Sequence, residues 1–347
     1  MKYAALLLVL FAFASCINED VAESNNIVKN GASITLYSHR HYDSDKEIFT
    51  LFEKETGIKV NVKEADAREL TNLIEKEGKQ TQADVFITSD AVGLYIAETK
   101  GILDPFSSEL VNTAVPQAYK HPNNLWVALT LRARVTVYNP NRVNPEEINF
   151  FSDLADKKWK GRIAVRSSDN FYNQSLLAGI LARKGDEAAL LWCKDIVANM
   201  FRSPQGNDRD QIKEVAAGNA DIAIVNTYYY GKMLESNIQA EVDAVKKVKL
   251  HFTKVSEEGV HMNISGVGIV KESKNKEAAT KFIEFLLRKD IQEKFANANF
   301  EYPVNKDAQW SPILKSWGEF TPETLNISEL GSNNNKAIAI FARAGWK

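Results

Sequence analysis

Cysteine is scarce in this sequence of 347 residues, which contains only Cys16 and Cys193. Cys16 follows an N-terminal apolar run that we interpret as a leader, so Cys193 is the thiol that remains for the folded chain. A single thiol excludes a disulfide and a metal site built from cysteines. Cys193 lies in the segment ALLWCKDIVANM, whose amphipathic pattern predicts a helix with the thiol in the core.

A surplus of basic residues is also missing, because 43 lysines and arginines face 45 aspartates and glutamates, for a formal net charge of −2. Nucleic-acid-binding domains normally carry a basic surplus, so we expect no nucleic-acid partner. The sequence has no internal repeat, no low-complexity tract and no second long apolar run. Its length and its hydrophobic content of 44% predict a large core divided between two domains.

The N-terminus predicts a secretory signal. A lysine precedes an uninterrupted apolar run that ends at Ala14, and this run is shorter than the roughly 20 residues of a transmembrane helix. The sequence FASC at 13–16 resembles a bacterial lipoprotein lipobox, which predicts a lipidated Cys16 followed by a polar tether at 17–33. Ordinary cleavage near Ser15 is the alternative. We expect a membrane-anchored lipoprotein of the periplasm or cell envelope.

After the tether, strand-like and helix-like segments alternate, which indicates an α/β fold around a mostly parallel sheet. In order, the first segments are SITLYS, DSDKEIFTLFEKETG, IKVNVKEA, ARELTNLIEKEG, ADVFITSD and VGLYIAETKG. Ser44 and Glu47 predict a capping box at the start of the first helix, and Gly57 predicts its end. His41 and Tyr42 then lie between the carboxyl end of a strand and the start of a helix, where open α/β sheets bind ligands.

Two further strand-to-helix edges carry tyrosines. RIAVRS is strand-like and a helix is predicted from near Tyr172, while NADIAIVN predicts a strand directly before TYYYGKMLESN, which contains Tyr228, Tyr229 and Tyr230. Taken alone, each tyrosine is more simply explained as packing. Their position at equivalent edges predicts a shared site in a cleft between two α/β lobes. Later in the chain, VKLHFTKV and HMNISGVGIVKES predict strands that return to the sheet.

The residue types at these edges favour a hard metal ion. A phenolate is a hard anionic oxygen donor, so several tyrosines with one imidazole suit ferric iron better than zinc. The ion would favour the ionised form of phenols whose ordinary pKa is about 10, so binding would release protons. Four phenolates around Fe³⁺ would leave one negative charge. The nearby cations that could offset this charge are Arg40, Arg132, Arg134 and Arg166.

In their order and spacing, the motifs resemble the periplasmic ferric-iron-binding proteins of bacterial ABC transporters, in particular the tyrosine-rich branch found in cyanobacteria and Campylobacter. The resemblance covers nearly all of the chain after the tether and rests on YSHRHYDSD, LTLRARVTVYNP, FSDLADKKWKGRIAVRSS, FYNQSL, GNDRDQIKEVAAGNADIAIVNTYYYGKM and YPVN. It implies a two-lobed periplasmic-binding-protein fold with a hinge, Fe³⁺ as cargo, delivery to an ABC permease, a monomer and no enzymatic activity. The ligand pattern of the family matches His41, Tyr42, Tyr172, Tyr228 and Tyr229.

Two neighbours of these residues are assigned other roles. Tyr230 follows the paired tyrosines and is assigned to packing, and His39 occupies a variable position of the motif. The expected division of the chain is a signal peptide with lipobox at 1–16, a tether at 17–33, lobe 1 at 34–130 and 260–305, and lobe 2 at 131–259 and 306–347.

Two alternatives stay open. The same fold with an organic cargo, such as a sugar, polyamine, thiamine or phosphonate, is compatible with stacking tyrosines, because a fold alone does not select its ligand. It leaves His41 and the tyrosines on separate edges unexplained. An extracellular metal-dependent hydrolase with His41 as base would need an open metal position or an activated nucleophile. The sequence contains no His-Glu-x-x-His and no Gly-x-Ser-x-Gly motif.

Overall fold

The structure is a computed structural model that describes residues 32–347. The predicted signal peptide, Cys16 and most of the predicted tether lie outside the described residues. Within residues 32–347, no helix is long and apolar enough to cross a membrane.

Strands and helices alternate along the described chain. The strands are β1 (Ser33–Ser38), β2 (Lys59–Glu64), β3 (Val85–Thr88), β4 (Leu103–Asp104), β5 (Val127–Tyr138), β6 (Ile163–Ala164), β7 (Ile222–Asn226), β8 (Lys249–His251), β9 (Lys254–Ser256), β10 (Gly259–Val260), β11 (Met262–Val270) and β12 (Tyr302–Pro303). The helices are α1 (Asp43–Thr56), α2 (Ala67–Glu77), α3 (Ala91–Thr99), α4 (Glu109–Ala114), α5 (Phe171–Asn199), α6 (Asp208–Ala216), α7 (Thr227–Leu234), α8 (Gln239–Lys246), α9 (Lys276–Leu287), α10 (Lys289–Asn299), α11 (Pro312–Ser316), α12 (Ser328–Ser332) and α13 (Asn334–Ala344). The predicted α/β fold is confirmed.

The main sheet has the strand order β2-β1-β3-β11-β5-β7-β6. Its two ends are parallel, since β1 is parallel to β2 and β3, and β6 is parallel to β7. Its middle is antiparallel, because β11 runs opposite to β3 and β5, and β5 runs opposite to β7. The prediction of a mostly parallel sheet is therefore wrong for the middle strands. The segment VKLHFTKV, predicted to return to the sheet as a strand, forms two short strands. Of these, β8 pairs with β5, whereas β9 pairs with β10 outside the main sheet.

The long strand β5 belongs to both parts of the sheet. Residues 127–133 pair with β11, and residues 134–138 pair with β7 and β8. We call the part that contains β1–β4, β11 and β12 lobe 1, and the part that contains β6–β8 lobe 2. The chain bounds expected for the two lobes stay a prediction.

The start of α1 differs from the prediction. Its N-cap is Tyr42, with no capping hydrogen bond from a side chain, so the predicted capping box of Ser44 and Glu47 is wrong. The Ser44 hydroxyl instead donates to Asn299 Oδ1 at 2.9 Å, because α10 packs beside α1. Gly57 ends the helix in the left-handed conformation, with a φ of 73°, as predicted.

Two hydrophobic clusters form the core. The larger surrounds the main sheet, and the smaller lies beneath α5 and α13. Cys193 is fully buried in α5, where burial raises the pKa of its thiol to about 12. Its predicted place in the core is confirmed.

Candidate functional site

The three predicted strand-to-helix edges carry their tyrosines at the first turns of helices. Tyr42 caps α1 after β1, and Tyr172 is the second residue of α5. Tyr228 and Tyr229 are the second and third residues of α7, directly after β7. Tyr42 therefore belongs to lobe 1 and the other three tyrosines to lobe 2.

Contacts between the rings bring these four tyrosines together. The Tyr228 hydroxyl donates to the Tyr172 hydroxyl oxygen at 3.1 Å. The ring centroids of Tyr228 and Tyr229 are 4.3 Å apart, and those of Tyr42 and Tyr228 are 6.4 Å apart across the cleft. The site thus gathers phenol groups from both lobes around one point.

His41 lies at the rim of this group. Its side chain is exposed, and its ring centroid is 6.1 Å from that of Tyr42. The structure therefore places His41 beside one tyrosine and in reach of solvent.

His39 and Tyr230 have contacts of a different kind. His39 Nδ1 lies 3.1 Å from Ser89 Oγ, and burial lowers the pKa of its imidazole to about 4. The Tyr230 hydroxyl donates to the Val248 carbonyl oxygen at 3.4 Å, and its ring packs edge-on against Trp317. Tyr230 is thus packed in the interior, and its assignment to packing and not to the ligand set stays a prediction.

A buried carboxylate fixes the helix that carries the paired tyrosines. Asp208 Oδ2 accepts hydrogen bonds from the backbone N–H of Asn226 and from Arg134 Nη1, both at 2.7 Å. Asn226 is the N-cap of α7, so this network sets where the helix begins. At the second edge, the Asn170 side chain accepts a hydrogen bond from the Tyr172 N–H at 3.1 Å and caps α5.

The arginines predicted to offset the site's charge are mostly engaged by carboxylates. Arg40 forms ion pairs with Asp45 at 2.9 Å and with Glu301 at 3.0 Å. Arg134 and Arg166 share Asp208, and Arg132 lies 3.6 Å from Asp90. Arg132 and Arg166 also approach the Tyr172 ring, at 5.4 and 5.6 Å from its centroid. Their positive charge is thus partly compensated before any ligand binds.

Lys232 is a cation of the site that the sequence prediction missed. Its Nζ lies 3.7 Å from the centroid of the Tyr42 ring and 5.7 Å from that of Tyr228. Within the described chain no carboxylate lies within 4.0 Å of this ammonium group. Burial lowers the pKa of Lys232 to about 8. The signal that could have found it is its spacing, four residues after Tyr228 on the same helix.

Burial makes the phenols of Tyr42, Tyr228 and Tyr229 harder to ionise. Burial raises the pKa of Tyr42 and of Tyr228 well above the usual value, and the negative charge of a neighbouring phenolate would raise both further. Burial likewise raises the pKa of Tyr229 to about 12. These three phenols therefore stay neutral until a cation enters the site.

Other metal-binding groups are not clustered here. Among residues 32–347, no group of three or more histidines, cysteines, aspartates or glutamates could hold a metal ion.

Two α/β lobes that share a sheet and face each other across a tyrosine-lined cleft define a two-lobed solute-binding protein with a hinge. A family model for bacterial extracellular solute-binding proteins matches residues 80–320, and the chain belongs to this family. The chain is 44% identical to iron uptake protein A1 of Synechocystis over 90% of this chain and 87% of that protein.

Two solved structures show the same fold. One is a Trichodesmium protein in complex with iron and citrate, with a TM-score of 0.87, 42% identity, and coverage of 91% of this chain and 100% of that one. The other is a ferric binding protein from Campylobacter jejuni, with a TM-score of 0.86, 36% identity, and coverage of 90% of this chain and 100% of that one. The two-lobed fold and the resemblance to ferric-binding proteins are confirmed.

Proposed function

We propose that this protein binds ferric iron in the cleft and delivers it to an ABC permease. The observation that carries the proposal is the convergence of Tyr42, Tyr172, Tyr228 and Tyr229 from two lobes, with Tyr228 and Tyr172 in hydroxyl contact at 3.1 Å. Hard phenolate oxygens match a hard trivalent ion. Relatives at up to 44% identity carry names that refer to iron uptake.

The electrostatics of the site favour a trivalent metal ion as the ligand. Burial keeps Tyr42 and Tyr228 protonated because their pKa values are well above the usual value. An ion must therefore supply enough positive charge to displace the phenol protons, and a trivalent ion does this far better than a divalent one.

Nearby cations would stabilise the loaded site. A ferric ion with four phenolates carries one excess negative charge, and Lys232 lies 3.7 Å from the Tyr42 ring centroid. Arg166 shares its carboxylate with Arg134, so this trio of charges is positive overall. Both features favour an anionic complex in the cleft.

His41 is the fifth ligand in this proposal. It immediately precedes Tyr42, and its exposed ring can approach an ion from the rim of the cleft. An imidazole that enters from the rim would complete a coordination shell that the tyrosines fill from below.

Export and anchoring complete the proposal. The predicted signal and lipobox would place the protein in the periplasm or cell envelope, with Cys16 as its lipid anchor and 17–33 as the tether. A tethered monomer could then meet its permease without leaving the membrane surface. The chain division at 34–130, 131–259, 260–305 and 306–347 stays part of this proposal.

Metal content after ferric loading and desalting tests the proposal. We expect about one iron per chain for the wild type and almost none for a variant with all four tyrosines changed to phenylalanine, because each change keeps its ring. Circular dichroism of both proteins controls for folding. A folded wild type that retains no iron would overturn the proposal, and one that retains a sugar or polyamine instead would establish an organic cargo.

A further inference from the structure

Gly231 sits at a very close approach between the two lobes. It lies inside α7 of lobe 2, two residues after Tyr229, and it faces Phe300 at the end of α10 in lobe 1. A Cβ atom added to Gly231 would lie 2.7 Å from the Cβ of Phe300 and closer still to its Cγ. Side-chain rotation cannot relieve a clash between two Cβ atoms, because both are fixed by the backbone.

Gly231 and Phe300 are both unusual residue types for the backbone positions that they occupy. Glycine is disfavoured in a helix interior relative to alanine, so α7 itself does not call for Gly231. Phe300 is a non-glycine residue with a φ of 55°, at a helix end where glycine is the usual residue. Its ring is buried, so the strained position is occupied by a side chain that packs between the lobes.

Both residues are linked to the tyrosines of the site through a few intervening residues. Gly231 lies between Tyr229 and Lys232 on one helix. Phe300 precedes Glu301, whose carboxylate holds Arg40 at 3.0 Å, and the Arg40 guanidinium lies 4.8 Å from the Tyr42 ring centroid. The two backbones are therefore connected to Tyr42 on one side and to the tyrosines of lobe 2 on the other.

We propose that the contact of Gly231 with Phe300 is the closing stop of the cleft, which sets how near Tyr42 comes to Tyr228 and Tyr229. This inference rests on the proposed ferric function. Restoring an ordinary carbon contact at an added Cβ would require the lobes to separate by about 1 Å. Metal–ligand distances tolerate only about 0.2 Å, so such a separation would remove Tyr42 from the ion.

Gly231→Ala tests the inference, because it should destabilise the iron-bound protein without destabilising the iron-free protein. We expect ferric affinity, measured by competition with a chelator, to fall at least 10-fold. In the iron-free protein the lobes are free to separate and relieve the clash, so the melting temperature should stay unchanged or rise, since alanine favours the helix. Small-angle scattering should show that ferric iron compacts the wild type more than the variant. Thr50→Ala, an exposed change in the middle of α1 that also removes a hydroxyl bonded to the Lys46 carbonyl oxygen at 2.9 Å, controls for a change to alanine in a helix away from the cleft.

A double-mutant cycle identifies the partner. Phe300→Gly removes the opposing Cβ, so Gly231→Ala should cost almost no affinity in that background. An equal loss in both backgrounds would overturn the pairing. Wild-type ferric affinity and compaction in Gly231→Ala would overturn the closing stop while leaving the ferric function intact. A wild type that binds no ferric iron would refute the ferric function, and the inference with it.

Discussion

Tyr228→Phe tests the proposed metal site separately from the packing around it. Phenylalanine keeps the ring that lies 4.3 Å from the Tyr229 centroid and 6.4 Å from the Tyr42 centroid, and removes only the hydroxyl. The hydroxyl makes one hydrogen bond, to Tyr172 at 3.1 Å. A hydrogen bond of this kind contributes about 0.5–1.5 kcal/mol to the free energy of unfolding.

The stability of the iron-free protein should thus fall by about 1 kcal/mol, which shifts the melting temperature by roughly 2–4 °C. Ferric affinity should fall much more. Loss of a group that merely supports a metal ligand already costs about 10–100-fold, so we expect loss of a ligand to exceed 100-fold. Chelator competition gives the affinity, and the visible absorption of the ferric complex should weaken or shift.

Tyr230→Phe is the matched control for this substitution. It removes a neighbouring hydroxyl that donates to the Val248 carbonyl oxygen at 3.4 Å, away from the cleft. Its affinity and spectrum should equal those of the wild type. Unchanged ferric affinity in Tyr228→Phe would refute the reasoning. Loss of the ferric absorption band in Tyr230→Phe would show that the ligands are assigned one residue too early in the sequence.

Three further predictions concern charge and anchoring. Ferric affinity should fall as pH decreases, because protons compete with the ion for phenols whose pKa is raised. Up to about four protons should be taken up for each ion released. An affinity that is constant with pH would contradict phenolate ligation. Lys232→Met should weaken ferric binding about 10-fold and Lys232→Arg much less, as measured by chelator competition, and equal losses would argue for a steric role. Cys16→Ala should move the protein from the membrane to the soluble fraction on cell fractionation, and its retention on the membrane would refute the lipid anchor.

The positions of the tyrosines were predictable because they depend on local pattern. A strand followed directly by a helix puts the intervening residues at one edge of the sheet, and this rule placed Tyr42, Tyr172 and Tyr228 correctly at helix starts. Two adjacent side chains at a helix start diverge by about 100°, so local pattern alone does not predict that the two rings of the pair meet. The structure instead has Tyr228 and Tyr229 in a regular first turn with rings 4.3 Å apart.

Features that depend on distant residues were not predictable from local pattern. Ser44 was expected to cap its own helix, but its hydroxyl donates a hydrogen bond to Asn299 in α10. Arg40 was expected as one of the cations that could offset the charge of the site, but the sequence did not identify its partner Glu301, 261 positions later in the chain. Lys232 reaches Tyr42 only because the lobes meet. In each case the contact joins two elements that are neighbours only in the folded chain.

Resonance Raman spectroscopy of the ferric-loaded protein, excited within its visible absorption band, tests the central claim most directly. The account predicts ring vibrations of iron-bound phenolate, which disappear when Tyr42, Tyr172, Tyr228 and Tyr229 are all replaced by phenylalanine. A folded, iron-containing wild type that shows no phenolate vibrations would contradict the assignment of these tyrosines as the ligands.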